Sequence, residues 1–313
     1  MDISDGGAEY GVKEHLESIA SELEEYLTVF IEKNFSRELA DIIEYATSGG
    51  KKLRGTLLIL MGEILGGNRR DLMDLACAME IAHSASLIHD DVIDGSKMRR
   101  GKEAVWVRYG LDIALILPHV MVSTGVLTIA RKGDWLAKLA VDAWRRASLG
   151  QLLDILYDRD GVKREVTYDE IIGLKTGSLF EAACFIGAGA VAGVEAARMA
   201  GVYGYNIGCA YQVVDDIVGL LLGKEESGSA KALEAKGDIW KVGLKLTASY
   251  IEQAVFAADS LQRFASKNTS ILKKIPAVIV KNMAKEVGGE LEKVLDAILE
   301  SGVLEGRADL DNL

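Results

Sequence analysis

Three carboxylates, Asp90, Asp91 and Asp94, stand together directly after an apolar run from Ala76 to Ile88, with Lys97, Arg99 and Arg100 close behind. On a helix, Asp90 and Asp94 lie one turn apart on the same face, with Asp91 beside them. Like charges at that spacing cost a helix about 0.2–0.5 kcal/mol per pair. The periodicity of the run also puts the triad at the C-terminal end of its helix, the negative end of the macrodipole, where structural acids are disfavoured. A hard divalent cation relieves both conflicts. Mg²⁺ is bound in this manner, through one or two carboxylates, with water and substrate phosphates completing its octahedron. The basic residues that follow suit a diphosphate. Taken alone, the triad also reads as a solvated helix end carrying surface acids.

A second acidic pair, Asp215-Asp216, interrupts an otherwise apolar segment, with Gln212 one turn before it. Ionised carboxylates are costly to bury without partners, so this pair needs a cation or basic side chains; a structural ion pair is the alternative. If the two acidic clusters face one another from separate helices, they frame a diphosphate site holding several metal ions. A third group is Gly49-Gly50-Lys51-Lys52-Leu53-Arg54. Glycines before a helix N-terminus free backbone N–H groups to meet an anion, and Lys51 and Arg54 share a face there. A solvated turn is the other reading. His83, two turns before Asp90, lies on roughly the same face, although a lone histidine there also reads as a core residue. His89 either supports the aspartates or caps the turn. Lys175-Thr176 is a weak signal by itself.

The elements that must position these groups are helices. Leu16, Ile19, Leu23, Tyr26, Leu27 and Phe30 recur at three and four residues, giving an amphipathic helix from Tyr10 to about Lys33. A second helix runs from the N-cap Ser36 to Thr47, a third from Lys51 to about Gly66, and a fourth from Arg70 to about Asp94. Gly95 to Tyr109 reads as a basic loop, followed by helices over 111–131 and 135–157. A charged loop, Asp158 to Glu165, leads to a helix capped at Thr167 that carries Lys175 to Phe180. The segment from Val194 to Leu222 holds the second acidic pair. Lys224 to Lys236 reads as a polar loop, and the last helices fall between Asp238 and Ser301. No strand-like alternation and no linker is visible, so one all-α domain over 1–313 is expected, with flexible ends at 1–9 and 305–313.

Composition agrees with long helices, since 313 residues contain only 2 prolines. A net charge of −11 argues against nucleic acid as a partner, because no basic face dominates. Cys77, Cys184 and Cys209 lie in apolar surroundings without CxxC spacing, which points to buried thiols in a reducing cytoplasm. The acidic N-terminus is unlike a signal peptide, and no run is judged long and clean enough for a membrane span. A soluble cytoplasmic protein is expected.

Together these residues resemble the trans-isoprenyl diphosphate synthases, or polyprenyl synthetases, over about Ser36 to Asp238. Gly49 to Arg54 is similar to that family's GGKRxR element, and His83 to Asp94 to its first aspartate-rich motif with a leading histidine. Met98-Arg99-Arg100-Gly101 resembles the RRG that follows, Lys175-Thr176 the KT pair, and Gln212 to Asp216 the second aspartate motif. The resemblance implies an all-α bundle around a deep central cavity and usually a homodimer, with a heteromer of homologous subunits as the alternative. It implies a prenyltransferase that joins isopentenyl diphosphate to an allylic diphosphate through a carbocation. Asp90, Asp91, Asp94, Asp215 and Asp216 would hold several Mg²⁺ ions, with Mn²⁺ as a substitute. Arg99, Lys175 and Gln212 would contact the allylic diphosphate, while Lys51, Arg54, His83 and Arg100 would hold isopentenyl diphosphate. Thr176 would join the substrate site, and Lys231 and Lys241 would stand in for lysines that bind diphosphate.

Chain length falls to Ser86 and Ala85, which lie about 6–7.5 Å below Asp90 at 1.5 Å per residue, and to Ala82 a turn further down. Bulky aromatics there stop growth at fifteen carbons in the family. Small residues imply twenty or more, with geranylgeranyl diphosphate favoured. The chain departs from the family pattern at several places. Gly219 stands where many members have a third aspartate, Gly243-Leu244-Lys245-Leu246-Thr247 replaces a Gly-Lys-x-Thr element, the Pro-Thr after RRG is absent, and Pro118-His119 replaces Gly-Asp. Those departures keep two other readings open: a weakly active subunit that needs a catalytic homologue, and a related terpene cyclase.

Overall fold

A computed structural model describes residues 5–158, 166–223 and 227–285. It contains α1 (Asp5–Asn34), α2 (Arg37–Thr47), α3 (Leu53–Ile64), α4 (Arg69–Ile93), β1 (Met98–Arg99), β2 (Lys102–Glu103), α5 (Val105–Arg108), α6 (Leu111–Ala130) and α7 (Asp134–Asp158). Then follow α8 (Tyr168–Ile172), a π-helical turn (Gly173–Gly177), α9 (Ser178–Leu221), α10 (Gly228–Glu234), α11 (Ile239–Leu261) and α12 (Ser270–Ala284).

The predicted amphipathic spacing of α1 is realised, since Leu16, Ile19, Leu23, Leu27 and Phe30 all face the core. α4 starts where Asn68 accepts the Arg70 N–H at 3.0 Å and ends with Asp94 at its C-cap. α9 is the axis of the bundle and packs chiefly on α11 and α3, while α4 packs on α6 and α3. One apolar cluster joins α1, α3, α4 and α6 to the first part of α9. A second joins α8, the later part of α9, α11 and α12. Within the stretch of α9 that the first cluster covers, Gly193 (φ 83°, ψ −174°) breaks the helical path.

Several expectations change. The loop over 95–109 contains the hairpin β1–β2 and the short α5; strands of two residues are too brief to show an alternating pattern. The loop over 224–236 contains α10, capped by the Ser227 hydroxyl on the Ala230 N–H at 3.1 Å. Residues 5–9 are the opening turns of α1, as extending an established helix is easy once it is nucleated. Two helices are, by length and hydropathy, apolar enough to cross a membrane: Leu111–Ala130, with mean hydropathy 2.0, and Tyr168–Leu221, with 1.5. No such run was expected from the sequence. In the bundle, 39% and 56% of their most apolar windows are buried within the protein. All three cysteines are buried free thiols. Expectations for residues 1–4, 159–165 and 286–313 lie outside the described residues.

Candidate active site

The last turn of α4 carries the first aspartates. Burial, reinforced by Asp94 and Asp91 and opposed by Lys175 and Arg99, pushes the Asp90 carboxyl up to about 6. Asp91 behaves differently. It is 2% exposed, and its Oδ1 accepts hydrogen bonds from Arg99 Nε at 2.8 Å and Nη2 at 2.5 Å. Its charge is therefore answered by the hairpin, and Asp90 and Asp94 are left as the pair one turn apart.

The second aspartate pair sits in the later part of α9. Asp216 accepts hydrogen bonds from Tyr168 Oη (2.9 Å), Gln212 Nε2 (3.0 Å) and Ser229 Oγ (3.0 Å). Burial, and then the neighbouring Asp215, push its carboxyl up to about 7 in spite of those three donors. Asp215 is exposed. Gln212 is held in turn by the Thr176 hydroxyl, which donates to its Oε1 at 2.5 Å.

Lys175 and Thr176 come from the π-helical turn, a rare geometry that recurs at functional sites. The turn lies tight against α7: a Cβ on Gly150 would stand 2.2 Å from the Lys175 backbone nitrogen, so only glycine fits. The Lys175 ammonium donates to Asp154 Oδ2 at 2.5 Å. Burial works against its charge, but Asp154, Asp90 and Asp216 outweigh burial and raise its pKa. One lysine thus stands in the field of both aspartate groups.

Beside Asp90 is a basic pocket. Burial, then Arg54, Arg100, Lys52 and Arg99, hold His83 well below the ordinary histidine value, so its imidazole is neutral. His83 Nδ1 and Arg54 Nε are buried without a hydrogen-bond partner. The Arg54 guanidinium lies 4.5 Å from the centre of the Phe180 ring. Burial lowers the pKa of Arg54 and of Arg100, and the buried Glu80 opposes this in both.

The carbonyls around the glycine turn receive the neighbouring cations: Lys52 Nζ donates to Thr47 O at 2.7 Å and Gly49 O at 2.5 Å, and Arg100 Nη1 to Gly49 O at 2.9 Å. Gly49 N–H donates to Glu24 at 3.3 Å. A Cβ on Gly50 would come within 2.6 Å of the Arg100 guanidinium carbon. The turn therefore works as a seat for Arg100. Lys51 is exposed.

Of the three chain-length positions, Ala85 is wholly buried in the core, whereas Ala82 and Ser86 keep some accessible surface. The Ser86 hydroxyl donates to His83 O at 2.7 Å. Lys231 is half-buried on α10, and Lys241 is exposed in the first turn of α11. Four residues at the site escaped the sequence reading: Glu80, Asp154, Tyr168 and Ser229. Glu80 had a legible signal, being the one acid in the run from Ala76 to Ile88 and three residues before His83. The other three act across tertiary contacts.

The carboxylates fit Mg²⁺. Their donors are hard oxygens, and the raised Asp90 and Asp216 carboxyls are what buried acids show when a counter-charge is missing. Among the described residues, no three acidic, histidine or cysteine side chains gather closely enough to hold an ion alone. Each side offers one or two carboxylates and leaves the remaining positions to water and phosphate, as Mg²⁺ prefers.

Comparison with known proteins agrees with this geometry. The chain is 32% identical to a hexaprenyl pyrophosphate synthase of Saccharolobus solfataricus, over 82% of this chain and 91% of that one. It is 36% identical to a geranylgeranyl diphosphate synthase of Sulfolobus acidocaldarius, over 58% of each chain. In fold, it is similar to an isoprenoid synthase family member from Thermotoga neapolitana, with a TM-score of 0.70 at 24% identity over 84% of this chain and 97% of that one. The family model described as polyprenyl synthetase matches residues 36–234, which span both aspartate groups, the glycine turn and the π-helical turn. This chain belongs to the polyprenyl synthetase family.

Proposed function

We propose that this prenyltransferase condenses isopentenyl diphosphate with an allylic diphosphate, in a Mg²⁺-dependent reaction giving a product of twenty carbons or more, with geranylgeranyl diphosphate expected. The observation that carries this is the meeting of α4 and α9 at Lys175, in the field of both Asp90 and Asp216, beside a pocket of buried cations.

Asp90 and Asp94 on one side, with Asp215 and Asp216 on the other, would hold the metal. Bound there, Mg²⁺ supplies Lewis acidity toward the leaving diphosphate. Lys175 adds positive charge where the allylic C–O bond breaks, and Asp91 holds Arg99 at the same edge. Arg54, Arg100 and neutral His83 offer donors to isopentenyl diphosphate, including the His83 and Arg54 nitrogens that have no protein partner. The isopentenyl double bond attacks the allylic cation at C1, forming the new C–C bond. A proton then leaves C2 for the released pyrophosphate. Apolar surroundings keep water from capturing the cation. Small side chains at Ser86 and Ala82 leave room for a growing chain, and relatives named for C20 and C30 products are in keeping with that range. The reading includes a homodimer.

The test is a product assay. Purified protein is incubated with Mg²⁺, labelled isopentenyl diphosphate, and dimethylallyl, geranyl or farnesyl diphosphate in turn. A C20 or longer product that vanishes in Asp90→Ala is expected. No product from any primer, with the fold intact, would overturn the proposal.

A further inference from the structure

Asp154 lies in the last turns of α7, 4% exposed, and its side-chain hydrogen bonds run to other elements. Oδ2 accepts the Lys175 ammonium at 2.5 Å from the π-helical turn. Oδ1 accepts the backbone N–H of Ser229 at 2.6 Å from α10. The Ser229 hydroxyl then donates to Asp216 Oδ1 at 3.0 Å on α9. Ser229 is wholly buried, and its neighbour Gly228 lies so close to α7 that a Cβ would stand 2.0 Å from the Asp154 carbonyl oxygen. Four elements are therefore tied in series by three hydrogen bonds, and the two ends of the series are the cation and the anion that the proposed function sets beside the leaving group.

We infer that Asp154 and Ser229 are positioning residues: Asp154 fixes the ammonium of Lys175, and Ser229 fixes the carboxylate of Asp216, through one shared backbone contact. The inference rests on the prenyl-transfer reading above. A lysine has four rotatable bonds, and holding it beside one anion confines its charge to the place where negative charge develops. Asp216 has three donors, of which Ser229 is the only one carried by α10. The docking of α10 is consequently coupled to the orientation of a metal-facing carboxylate. Asp154 occupies the hub, because loss of its side chain releases both Lys175 and Ser229.

The two arms can be separated. Asp154→Asn keeps an oxygen for the Ser229 N–H but removes the anion that holds Lys175. Ser229→Ala keeps that N–H and removes only the hydroxyl on Asp216, and Ser229→Thr returns a hydroxyl. Each variant would be assayed for kcat and for both KM values, for binding of inorganic pyrophosphate with Mg²⁺ by calorimetry, and for thermal stability.

In Asp154→Asn, kcat is expected to fall about 100-fold, the cost of a misplaced catalytic charge, with the KM for isopentenyl diphosphate within about twofold of the parent. Ser229→Ala is expected to weaken pyrophosphate binding about fivefold, and Ser229→Thr to recover it. Amide exchange in α10 should quicken in Asp154→Ala and stay slow in Asp154→Asn.

Parent protein that is active, with Asp154→Asn equal to it in kcat and pyrophosphate affinity, would overturn the inference and leave the proposed activity standing. Activity lost only in proportion to lost folded protein would overturn it as well, since that is what a purely structural role gives. Parent protein that neither condenses the substrates nor binds Mg²⁺–pyrophosphate overturns the functional reading, and the inference with it.

Discussion

The buried carboxylates make the charge balance at this site depend on pH in a way that can be measured without substrate. Asp216 is raised to about 7 and Asp90 to about 6, in both cases mainly by burial. A carboxyl whose folded pKa exceeds its unfolded value, 3.8 for both, binds its proton more tightly in the folded protein. Their contribution to stability is therefore complete below about 4 and is lost as pH rises through 6 and 7. Metal-free protein in EDTA is expected to melt at a lower temperature at pH 8 than at pH 5.5. Addition of Mg²⁺ and pyrophosphate, which require the ionised carboxylates, should restore more stability at pH 8 than at pH 5.5. Asp216→Asn, which cannot ionise, should flatten most of the metal-free slope. A melting temperature that rises between pH 5.5 and 8 in EDTA would contradict this account of both groups.

Among the elements, the π-helical turn is the one that the proposed reaction would depend on and that local pattern conceals. Lys175-Thr176 was legible as a pair of residue types, but the turn that aims both side chains is set by packing against α7, where Gly150 admits the backbone of Lys175. Gly150→Ala would place its Cβ 2.2 Å from that nitrogen, with backbone rather than a flexible side chain to move. Overpacking of this sort costs about 1–3 kcal/mol. The expected result is a lower melting temperature together with a fall in kcat larger than that of a matched Ala substitution on the exposed side of α7. Unchanged kinetics in the folded variant would mean that the turn tolerates displacement.

The same contrast explains which parts of the site sequence could reveal. α4 was legible almost end to end, because its apolar run is periodic and its aspartates are local to one another. The pairing of Asp91 with Arg99 was not legible, since Arg99 lies in a hairpin of two-residue strands that no periodic pattern announces. Tyr168 reaches Asp216 across 48 positions, and Lys175 reaches Asp154 across 21, so neither link leaves a mark in local spacing.

At the scale of the whole molecule, α6 and α7 expose apolar side chains that the proposed homodimer would cover. Ile116 and Leu127 are 64% and 66% exposed, and Leu111, Leu115, Val141 and Leu152 add to the same pair of helices. Single exposed apolar residues are ordinary, but several on one pair of helices are what an interaction surface would use. A second copy of this chain is the occupant that the proposed homodimer would place there. Such an interface is isologous, and a stable one covers about 800 Å² on each partner, an area that two helices of 20 and 25 residues side by side can supply. The inner face of α6 packs on α4, the helix that carries the first aspartates, so pairing would brace the helix behind Asp90. Sedimentation equilibrium at micromolar protein is expected to return twice the chain mass of 33.8 kDa. Ile116→Glu with Leu127→Glu puts two charges on this face from each partner and should give monomers with unaltered helical content. Their activity should be reduced rather than abolished, because every residue placed at the site here belongs to one chain. A parent protein that sediments as a monomer would exclude the homodimer. If that monomer were also inactive alone but active after mixing with a homologous synthase, the same apolar face would be the one to map for a heteromeric contact.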